Sequence, residues 1–357
     1  MTIQEKVPLA PLTTLQVGGE ARYFAELKRE DELQEAVRFA KSRELPLFVL
    51  GGGSNLVIAD SGWPGLVLKI AIGGITTPNA NANDAAGNAV LFSVGAGVNW
   101  DDFVEQAVVQ NCAGVECLSG IPGSVGGTPV QNVGAYGQEV SDTIESVRAL
   151  DLKQDRMVVL PKPACGFRYR SSIFNTTERG RYIILRVNYR LKRGGPPSLK
   201  YADLQNHFAA LLAGKKLPSL AETRDAVREI RRSKGMLIVP GDDDCRSAGS
   251  FFKNPVLSDE QFKALATRAS AQELVLPSYP ALDAQHKVSA AWLVEHSGFS
   301  KGYEAGAAGI SHKHALALIN RGDATASDIV DLKEKIQHGV QEAWGILLDP
   351  EPVFVGF

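Results

Sequence analysis

The chain has 357 residues, of which 38 are basic and 40 acidic, so its formal net charge is -2 and its pI is about 6.3. This near-neutral balance argues against a protein that binds nucleic acid or a membrane surface, because either partner would need a basic excess. The length fits two or three domains with a sizeable core. The unusual count is 35 glycines, about 10% of the chain against an expected value of about 7%.

The cysteines, the histidines and the apolar runs indicate further which classes of protein the chain does not belong to. The four cysteines include no Cys-x-x-Cys pair, and in a chain of this size we expect them to be reduced thiols rather than a disulfide framework. The histidines include no His-Glu-x-x-His motif, so we expect no metal site. The amino terminus lacks the apolar run of a signal peptide, and no segment approaches the roughly 20 apolar residues of a membrane helix. These features predict a cytoplasmic protein.

The first 70 residues alternate between helix and strand patterns. Apolar residues at helical spacing predict a helix over 31–45. Apolar runs at 47–50, 56–58 and 65–70 predict three strands, which with the helix would complete a small α/β unit. The Asn/Ala/Gly-rich stretch 80–88 is typical of a hairpin or a linker.

Strand patterns dominate the middle of the chain and helical patterns its last third. The composition shift near 195–220 is the best candidate for a domain boundary. Apolar runs and period-2 alternation predict strands at 90–94, 144–152, 156–160, 182–191 and 353–355. Helical spacing predicts helices at 100–110, 202–213, 221–233, 258–268, 287–297 and 325–343.

The glycine excess is concentrated in clusters beside predicted strands. The cluster at 51–55 lacks the Gly-Lys-Ser/Thr ending of a nucleoside triphosphate loop, and the one at 95–97 has Trp100 where a dinucleotide fingerprint needs its third glycine. A third cluster, 120–127, has a different spacing again. Glycine lets backbone amides approach a phosphate and form an anion-binding nest. One such cluster alone would indicate a tight turn. Two strand-flanked clusters that end in Ser or Asn favour a dinucleotide-like ligand on a fold other than the Rossmann type.

Five short segments occur in the order typical of one enzyme family. They are 50–55 (LGGGSN), 121–137 (IPGSVGGTPVQNVGAYG), 169–174 (YRSSIF), 249–255 (GSFFKNP) and 350–351 (PE). Together they resemble the UDP-N-acetylenolpyruvoylglucosamine reductase family, flavoenzymes that make UDP-N-acetylmuramate for peptidoglycan. The resemblance covers essentially the whole chain.

The resemblance implies an α+β fold in three parts. Residues 1–70 and 71–225 would form two α/β subdomains of the FAD-binding fold of the vanillyl-alcohol oxidase (PCMH-like) type. Residues 226–349 would form an α+β substrate-binding domain, and the closing strand 350–357 would return to the FAD-binding part. Such a fold holds the pyrophosphate of FAD on loops, which accounts for the absence of a Rossmann fingerprint.

The resemblance also implies the reaction. Non-covalent FAD would take a hydride from NADPH and deliver it from flavin N5 to the enolpyruvyl group of UDP-N-acetylglucosamine enolpyruvate, whose neighbouring carbon must then be protonated. Such chemistry needs a cation against the carboxylate and a proton donor over the developing carbanion. By their motifs, Arg170 matches the family's active-site arginine, Ser250 its proton donor and Glu351 the residue that helps to polarise or orient the reacting group.

Binding residues carry over from the family as well, with three departures. Arg168 stands where a glycine is commoner, Val353 where a basic residue is frequent, and the acidic insert 242–245 precedes the serine motif. The expected substrate contacts are Tyr136, Tyr169, Tyr201, Lys234 and Asn254, with Tyr201 on a loop that closes over the nucleotide. The expected cofactor contacts are Gly51, Gly52, Gly53, Ser54, Asn55, Ile121, Gly123, Ser124, Gly126, Asn132 and Gly134.

Two other functions stay open on the sequence. An FAD oxidase or dehydrogenase of the same fold would act on an alcohol or a sugar, and such enzymes often tether the flavin through His or Cys. The glycine clusters contain neither, although Cys117 lies just ahead of one, so non-covalent FAD is favoured. A non-catalytic nucleotide-binding module would not require the three catalytic candidates in their motifs. For the reductase we expect NADPH and a nucleotide-sugar as partners, no nucleic acid, no membrane and a monomeric state.

Overall fold

The computed structural model describes residues 1–77, 88–280 and 285–357, so most of the stretch predicted as a hairpin or linker, 80–88, lies outside the described residues. The pattern of contacts divides the chain into two units. The first unit comprises residues 1–7, 22–52 and 64–237, and the second comprises 8–21, 53–63 and 238–357.

Eight α-helices lie in the described segments, and side-chain caps fix where most of them begin. Asn99, Ser219, Ser258, Ser289 and Thr325 each accept a hydrogen bond from an amide in the first turn of the helix that follows, which satisfies a donor that the helix itself leaves unpaired. None of the helices in these segments is long and apolar enough to cross a membrane. The helices are α1 (Asp31–Ser42), α2 (Trp100–Val109), α3 (Ala202–His207), α4 (Ala209–Ala213), α5 (Leu220–Ser233), α6 (Asp259–Ser270), α7 (Ala290–Glu295) and α8 (Ala326–Trp344).

The strands are mostly short, and the longest is the central strand of the first unit. In chain order they are β1 (Ile3–Pro8), β2 (Glu20–Leu27), β3 (Leu47–Leu50), β4 (Leu56–Ile58), β5 (Trp63–Ile70), β6 (Ile75–Thr76), β7 (Ala89–Gly95), β8 (Cys112–Ala113), β9 (Gly134–Ala135), β10 (Gln138–Glu139), β11 (Ile144–Asp151), β12 (Arg156–Pro161), β13 (Tyr182–Arg193), β14 (Val256–Leu257), β15 (Ser278–Pro280), β16 (His286–Val288), β17 (Glu304–Ala305), β18 (Ala308–Ile310), β19 (Leu318–Asn320) and β20 (Val353–Val355).

Two sheets organise the first unit. One has the order β1-β2-β5-β3, with β3 parallel to β5, and the other has the antiparallel order β12-β11-β13-β7-β6. Helix α2 packs on the second sheet, where the rings of Trp100 and Phe103 lie 5.9 and 4.8 Å from the ring of Tyr189 on β13. The indole of Trp100 also donates to the carbonyl of Leu118 at 2.9 Å. The start of α2 is therefore fixed beside the segment that leads into residues 120–126.

The second unit has its own apolar core, in which one face of α8 is buried with Phe251 and Phe252. Its strands form three small sheets, β14-β16-β15, β17-β18-β19 and the parallel pair β4-β20. Asp60 accepts hydrogen bonds from the amides of Ala326 and Ser327, at 2.7 and 3.0 Å, and so helps to fix where α8 begins.

Two helix predictions are wrong in part. The helix predicted over 287–297 begins only at Ala290, because His286–Val288 pairs on both sides as β16. The helix predicted over 202–213 is divided at Phe208. The strand predicted at 56–58 forms as expected, and it pairs with β20, outside the sheet of β3 and β5. The three-part domain division stays a prediction.

Candidate active site

Two of the glycine clusters touch through their backbones in the first unit. A Cβ added to Gly52 would lie 2.3 Å from Gly123 Cα, and one added to Gly51 would lie 3.0 Å from Ser124 Oγ. Gly123 itself has φ +133°, a conformation that side chains rarely adopt. The close approach therefore explains why these positions carry glycine. We call residues 120–126 the glycine loop.

Ser124 supplies a polar group that fits the pyrophosphate of FAD. The residue is 8% exposed, and its hydroxyl is buried with no hydrogen-bond partner among the described residues. Such a group is costly to leave unsatisfied, and a phosphate oxygen of a bound nucleotide would accept a hydrogen bond from it. The bare backbone of Gly51 and Gly52 beside this hydroxyl is the kind of surface that a dinucleotide needs.

The connection between β7 and α2 holds the glycine loop in place. The amide of Val125 donates to the carbonyl of Val98 at 2.9 Å, and the amide of Gly126 donates to the carbonyl of Ala96 at 2.8 Å. The amide of Trp100 in turn donates to the carbonyl of Gly123 at 3.1 Å. Because these bonds run between backbone groups, they fix the loop's path independently of its side chains.

Lys69 is a residue of this region that the sequence reasoning missed. Its ammonium donates to the carbonyl of Gly51, directly after β3, and burial lowers the pKa of the Lys69 side chain. The sequence contains one indication of its role: Lys69 is the single charged residue in the apolar strand β5, where an unpaired charge is unfavourable.

Asn132 has its amide engaged within the protein. Its Nδ2 donates to a carboxylate oxygen of Glu139 at 2.7 Å and to the carbonyl of Arg168 at 3.0 Å, while its Oδ1 accepts from the amide of Ser141 at 3.1 Å. These bonds join the segment that follows the glycine loop to the turn that carries Arg168. The contact of Asn132 with the cofactor stays a prediction, as does that of Ile121, which packs at the edge of the core.

A tight turn presents Arg170. Arg168 and Ser171 exchange backbone hydrogen bonds of 2.9 and 3.1 Å, and Arg170 between them has φ +52°, a strained value for a residue other than glycine. Its guanidinium donates to the carbonyl of Gly134 at 2.8 Å and lies 5.6 Å from the centre of the Tyr169 ring. These contacts hold the guanidinium beside β9.

Three predicted substrate contacts are brought together in the first unit. The rings of Tyr136 and Tyr201 meet edge to face, with their centres 5.4 Å apart. The ammonium of Lys234 lies 6.0 Å from the centre of the Tyr136 ring and pairs with Asp203 at 2.5 Å. Burial raises the pKa of the Tyr136 hydroxyl. Two aromatic faces beside a lysine suit a ligand that combines a nucleotide base or sugar with phosphate.

The second unit places Ser250 close to Glu351 along paired backbone. The amide of Glu351 donates to the carbonyl of Phe251 at 2.8 Å, and the amide of Lys253 donates to the carbonyl of Asp349 at 2.9 Å. Gly249, just before the serine, has φ +76°, so the turn there requires glycine. The segments 249–255 and 350–351, which carry Ser250 and Glu351, therefore lie side by side and are joined by backbone hydrogen bonds.

Three further predicted contacts also belong to the second unit. Asn55 donates from its side chain to the carbonyl of Glu351 at 3.2 Å. Gly53 has φ +69°, and an added Cβ would lie 2.0 Å from the carbonyl oxygen of Leu12. Asn254 accepts from the amide of Ala290 at 2.9 Å and so helps to cap α7. Ligand contacts of these residues, and of Ser54, stay predictions.

The acidic insert is tied to a neighbouring turn of the second unit. Lys313 pairs with Asp242, and Asp244 accepts from the amide of His312 at 3.1 Å. The carboxylates are thereby engaged with the segment 311–314, ahead of the serine motif.

Comparison with known proteins identifies the class first. Residues 21–160 match the FAD binding domain family, and residues 240–355 match the C-terminal domain of UDP-N-acetylenolpyruvoylglucosamine reductase. The chain is therefore an FAD-binding protein, which agrees with the glycine loop and the buried Ser124 hydroxyl, and the predicted α+β fold class is confirmed.

Whole-chain relatives then give the family. The chain is 45% identical to UDP-N-acetylenolpyruvoylglucosamine reductase of Thermobifida fusca, over 98% of this chain and 97% of that protein. It is 44% identical to the enzyme of the same name from Streptomyces avermitilis, over 98% and 94%. A crystal structure of the Thermus caldophilus reductase superposes with a TM-score of 0.65 at 26% identity, over 99% of this chain and 100% of that one. This chain belongs to the UDP-N-acetylenolpyruvoylglucosamine reductase family.

Proposed function

We propose that the chain reduces the enolpyruvyl group of UDP-N-acetylglucosamine enolpyruvate to give UDP-N-acetylmuramate, with NADPH as reductant, in peptidoglycan precursor synthesis. The observation that carries the proposal is the ladder of the second unit, in which Ser250 and Glu351 lie on adjacent backbone joined by the bond between Glu351 and Phe251. That pairing brings together the two backbone segments that carry the proposed proton donor and the proposed carboxylate. The named relatives support the same reaction.

FAD is the cofactor, and the first unit offers it a fitting surface. Gly51, Gly52, Gly123 and Ser124 would hold the pyrophosphate, through bare backbone and one hydroxyl. When bound, FAD supplies the hydride for the reduction after it has received one from NADPH.

Each catalytic candidate has a role that its chemistry suits. The planar guanidinium of Arg170 binds the substrate carboxylate and stabilises charge that spreads into it. The hydroxyl of Ser250 holds the proton that the substrate carbon takes, since a carbanion next to a carboxylate is a strong enough base to accept it. Glu351 orients the reacting group or the serine hydroxyl.

Tyr136, Tyr201 and Lys234 would bind the nucleotide part of the substrate. Lysine supplies a point charge for phosphate, and the two rings supply apolar faces with hydroxyl tips. Tyr201 is 44% exposed, as a residue that must meet an incoming ligand should be.

The cellular setting completes the proposal. We infer a cytoplasmic monomer that does not bind nucleic acid. The net charge of -2 argues against a nucleic-acid partner, and four buried cysteine thiols fit a reducing compartment. Light scattering tests the monomeric state. The oxidase that the sequence left open is not favoured by the named relatives.

The test separates the two halves of the reaction. Purified protein should be yellow, NADPH without oxygen should bleach it, and UDP-N-acetylglucosamine enolpyruvate should restore the colour. Ser250→Ala should still be bleached, but return of colour should slow by about 10²- to 10⁴-fold because the proton donor is missing. Ser300→Ala, an exposed serine of the same unit, serves as the control. A colourless protein that cannot take up FAD would overturn the function, and normal turnover of Ser250→Ala would overturn the role of the serine.

A further inference from the structure

An ion-paired cluster in the first unit connects α2, α5 and the glycine loop. The carboxylate of Asp101, in the first turn of α2, accepts two hydrogen bonds from Arg224 of α5, at 2.5 and 3.0 Å. It also pairs with Arg228, one turn further along α5, and accepts from the amide of Gly120 at 2.6 Å. We call Asp101, Arg224, Arg228 and Gly120 the Asp101 cluster.

The pair of Asp101 and Arg224 is largely shielded from water, whereas the Arg228 side chain is 36% exposed. The Arg224 side chain is 10% exposed and that of Asp101 21% exposed. Burial acts to raise the pKa of the Asp101 carboxyl, but the bonds from Arg224 and Gly120 outweigh it, and the pKa is lowered. A carboxylate shared by two guanidiniums and one amide is costly to remove, because the two cations would then face each other without an anion.

One end of the cluster fixes the cofactor region. Gly120 begins the glycine loop, and its φ of +70° together with the Asp101 bond sets the direction in which the loop leaves. An added Cβ there would lie 2.7 Å from a methyl group of Leu237 and 3.6 Å from Arg228 Cγ, so the loop packs directly on the α5 region. Three and four residues later come Gly123 and Ser124, which we expect to hold the pyrophosphate.

The other end of the cluster fixes the substrate lysine. Lys234 directly follows α5 and caps its carboxyl end, where its amide donates to the carbonyls of Ile230 and Arg231. The position of its side chain therefore follows the position of α5. Asp101 holds α5 through the bidentate pair with Arg224, a geometry that restricts orientation as well as distance.

We propose that Asp101 is a positioning residue that sets the glycine loop and the Lys234 end of α5 together, so that affinity for FAD and affinity for the nucleotide-sugar depend on one ion-paired cluster. The proposal rests on the proposed function, since it takes the loop as the FAD site and Lys234 as a substrate contact. Asp101 touches neither ligand in this account and acts through the two segments that it joins.

The test compares Asp101→Asn with Asp102→Asn as holoenzymes. Asp102 is the next residue in the same helical turn and is exposed, so it controls for the loss of one negative charge at the start of α2. Released flavin is measured in the filtrate after dilution, and KM and kcat are measured for UDP-N-acetylglucosamine enolpyruvate with FAD in excess. For Asp101→Asn we expect FAD release about tenfold faster, KM about tenfold higher and kcat within about twofold of wild type. Asp102→Asn should match wild type in all three.

Several results would overturn the proposal. One is an Asp101→Asn variant whose FAD release and KM equal those of wild type. Another is a variant whose only change is a lower melting temperature. A third is a variant in which only one of the two quantities, FAD release or KM, changes. If Asp101→Asn does not fold, Arg228→Gln keeps the Arg224 pair and should shift both quantities in the same direction by a smaller factor; no shift in either would again overturn it. Wild-type turnover separately reports on the proposed function, so failure of that function can be told apart from failure of the role given to Asp101.

Discussion

The contact between Gly52 and Gly123 makes a sharp prediction about cofactor binding. An alanine at position 52 would place its Cβ 2.3 Å from Gly123 Cα and 2.7 Å from the amide nitrogen of Ser124, whereas ordinary contact begins near 3.4 Å. Both neighbours are backbone atoms, so no side chain can rotate away, and the two segments must part by roughly 1 Å. The free protein can relieve the clash by separating them, but binding FAD must bring them together again.

The magnitude follows from the cost of overpacking. Inserting a methyl group into a closed contact costs about 1–3 kcal/mol, which corresponds to a loss of FAD affinity of about 5- to 150-fold. Gly51→Ala should lose less, because its added Cβ would meet only the Ser124 hydroxyl, at 3.0 Å. The expected order of FAD retention is therefore wild type, then Gly51→Ala, then Gly52→Ala.

The assay is flavin release from each purified holoenzyme after dilution, together with the temperature at which flavin fluorescence appears on heating. Gly214→Ala is the control, because a Cβ there would make only ordinary contact, at 3.4 Å or more, at the end of α4. If Gly52→Ala kept its FAD as well as Gly214→Ala does, the two segments would not form the cofactor surface and the reasoning would be refuted.

Three further predictions concern charge, pH and thiol reactivity. Arg170→Lys should lower kcat/KM by about 100-fold, because an ammonium cannot bind a carboxylate in two places. Steady-state kinetics would check this loss, with Arg168→Lys as the control. Equal kcat/KM values for the two variants would contradict the prediction. The hydrogen bonds from Arg181 lower the pKa of Asp151 from 3.8 to about 2, so the stabilisation is present above about pH 4 and is lost as the pH falls towards about 2. Acid unfolding followed by circular dichroism should therefore show a smaller loss over that range for Asp151→Asn, and an unchanged profile would argue against the pair. Burial raises the pKa of Cys165 to about 11 and also raises that of Cys117. A thiol reagent should therefore modify these cysteines only after the protein unfolds. Rapid labelling of the native protein would be the contrary result.

Local patterns in the sequence predicted most elements of the fold, and pairing over long distances explains where they failed. Helix α5 agrees with the predicted span 221–233 to within one residue, because its capping box and its apolar spacing are both local signals. The strand β16 was mistaken for helix because its form depends on β14 and β15, which flank it in space. In the same way, nothing in the run 56–58 indicates that its partner is β20.

For the candidate site, too, local sequence signals were informative and contacts between distant positions were not predicted. Composition and spacing led only as far as a dinucleotide-like ligand, and the catalytic residues came from the resemblance to a family. The glycine clusters were recognised from local sequence, but the contact of Gly52 with Gly123 joins positions far apart in the chain. The Asp101 cluster was missed for the same physical reason, since Arg224 and Arg228 look like ordinary charges on a helix until the fold brings Asp101 to them.

The pairing of β4 with β20 has a consequence for synthesis on the ribosome. Leu56 has Val353 as its partner in this parallel pair, so an early strand must wait for a partner about 300 residues later in the chain. The last segment of the first unit ends at Leu237, whereas the second unit extends to Phe357. The nascent protein therefore carries every residue of the proposed FAD surface in the first unit well before Glu351 leaves the ribosome, and the unit with the proposed proton donor is completed last.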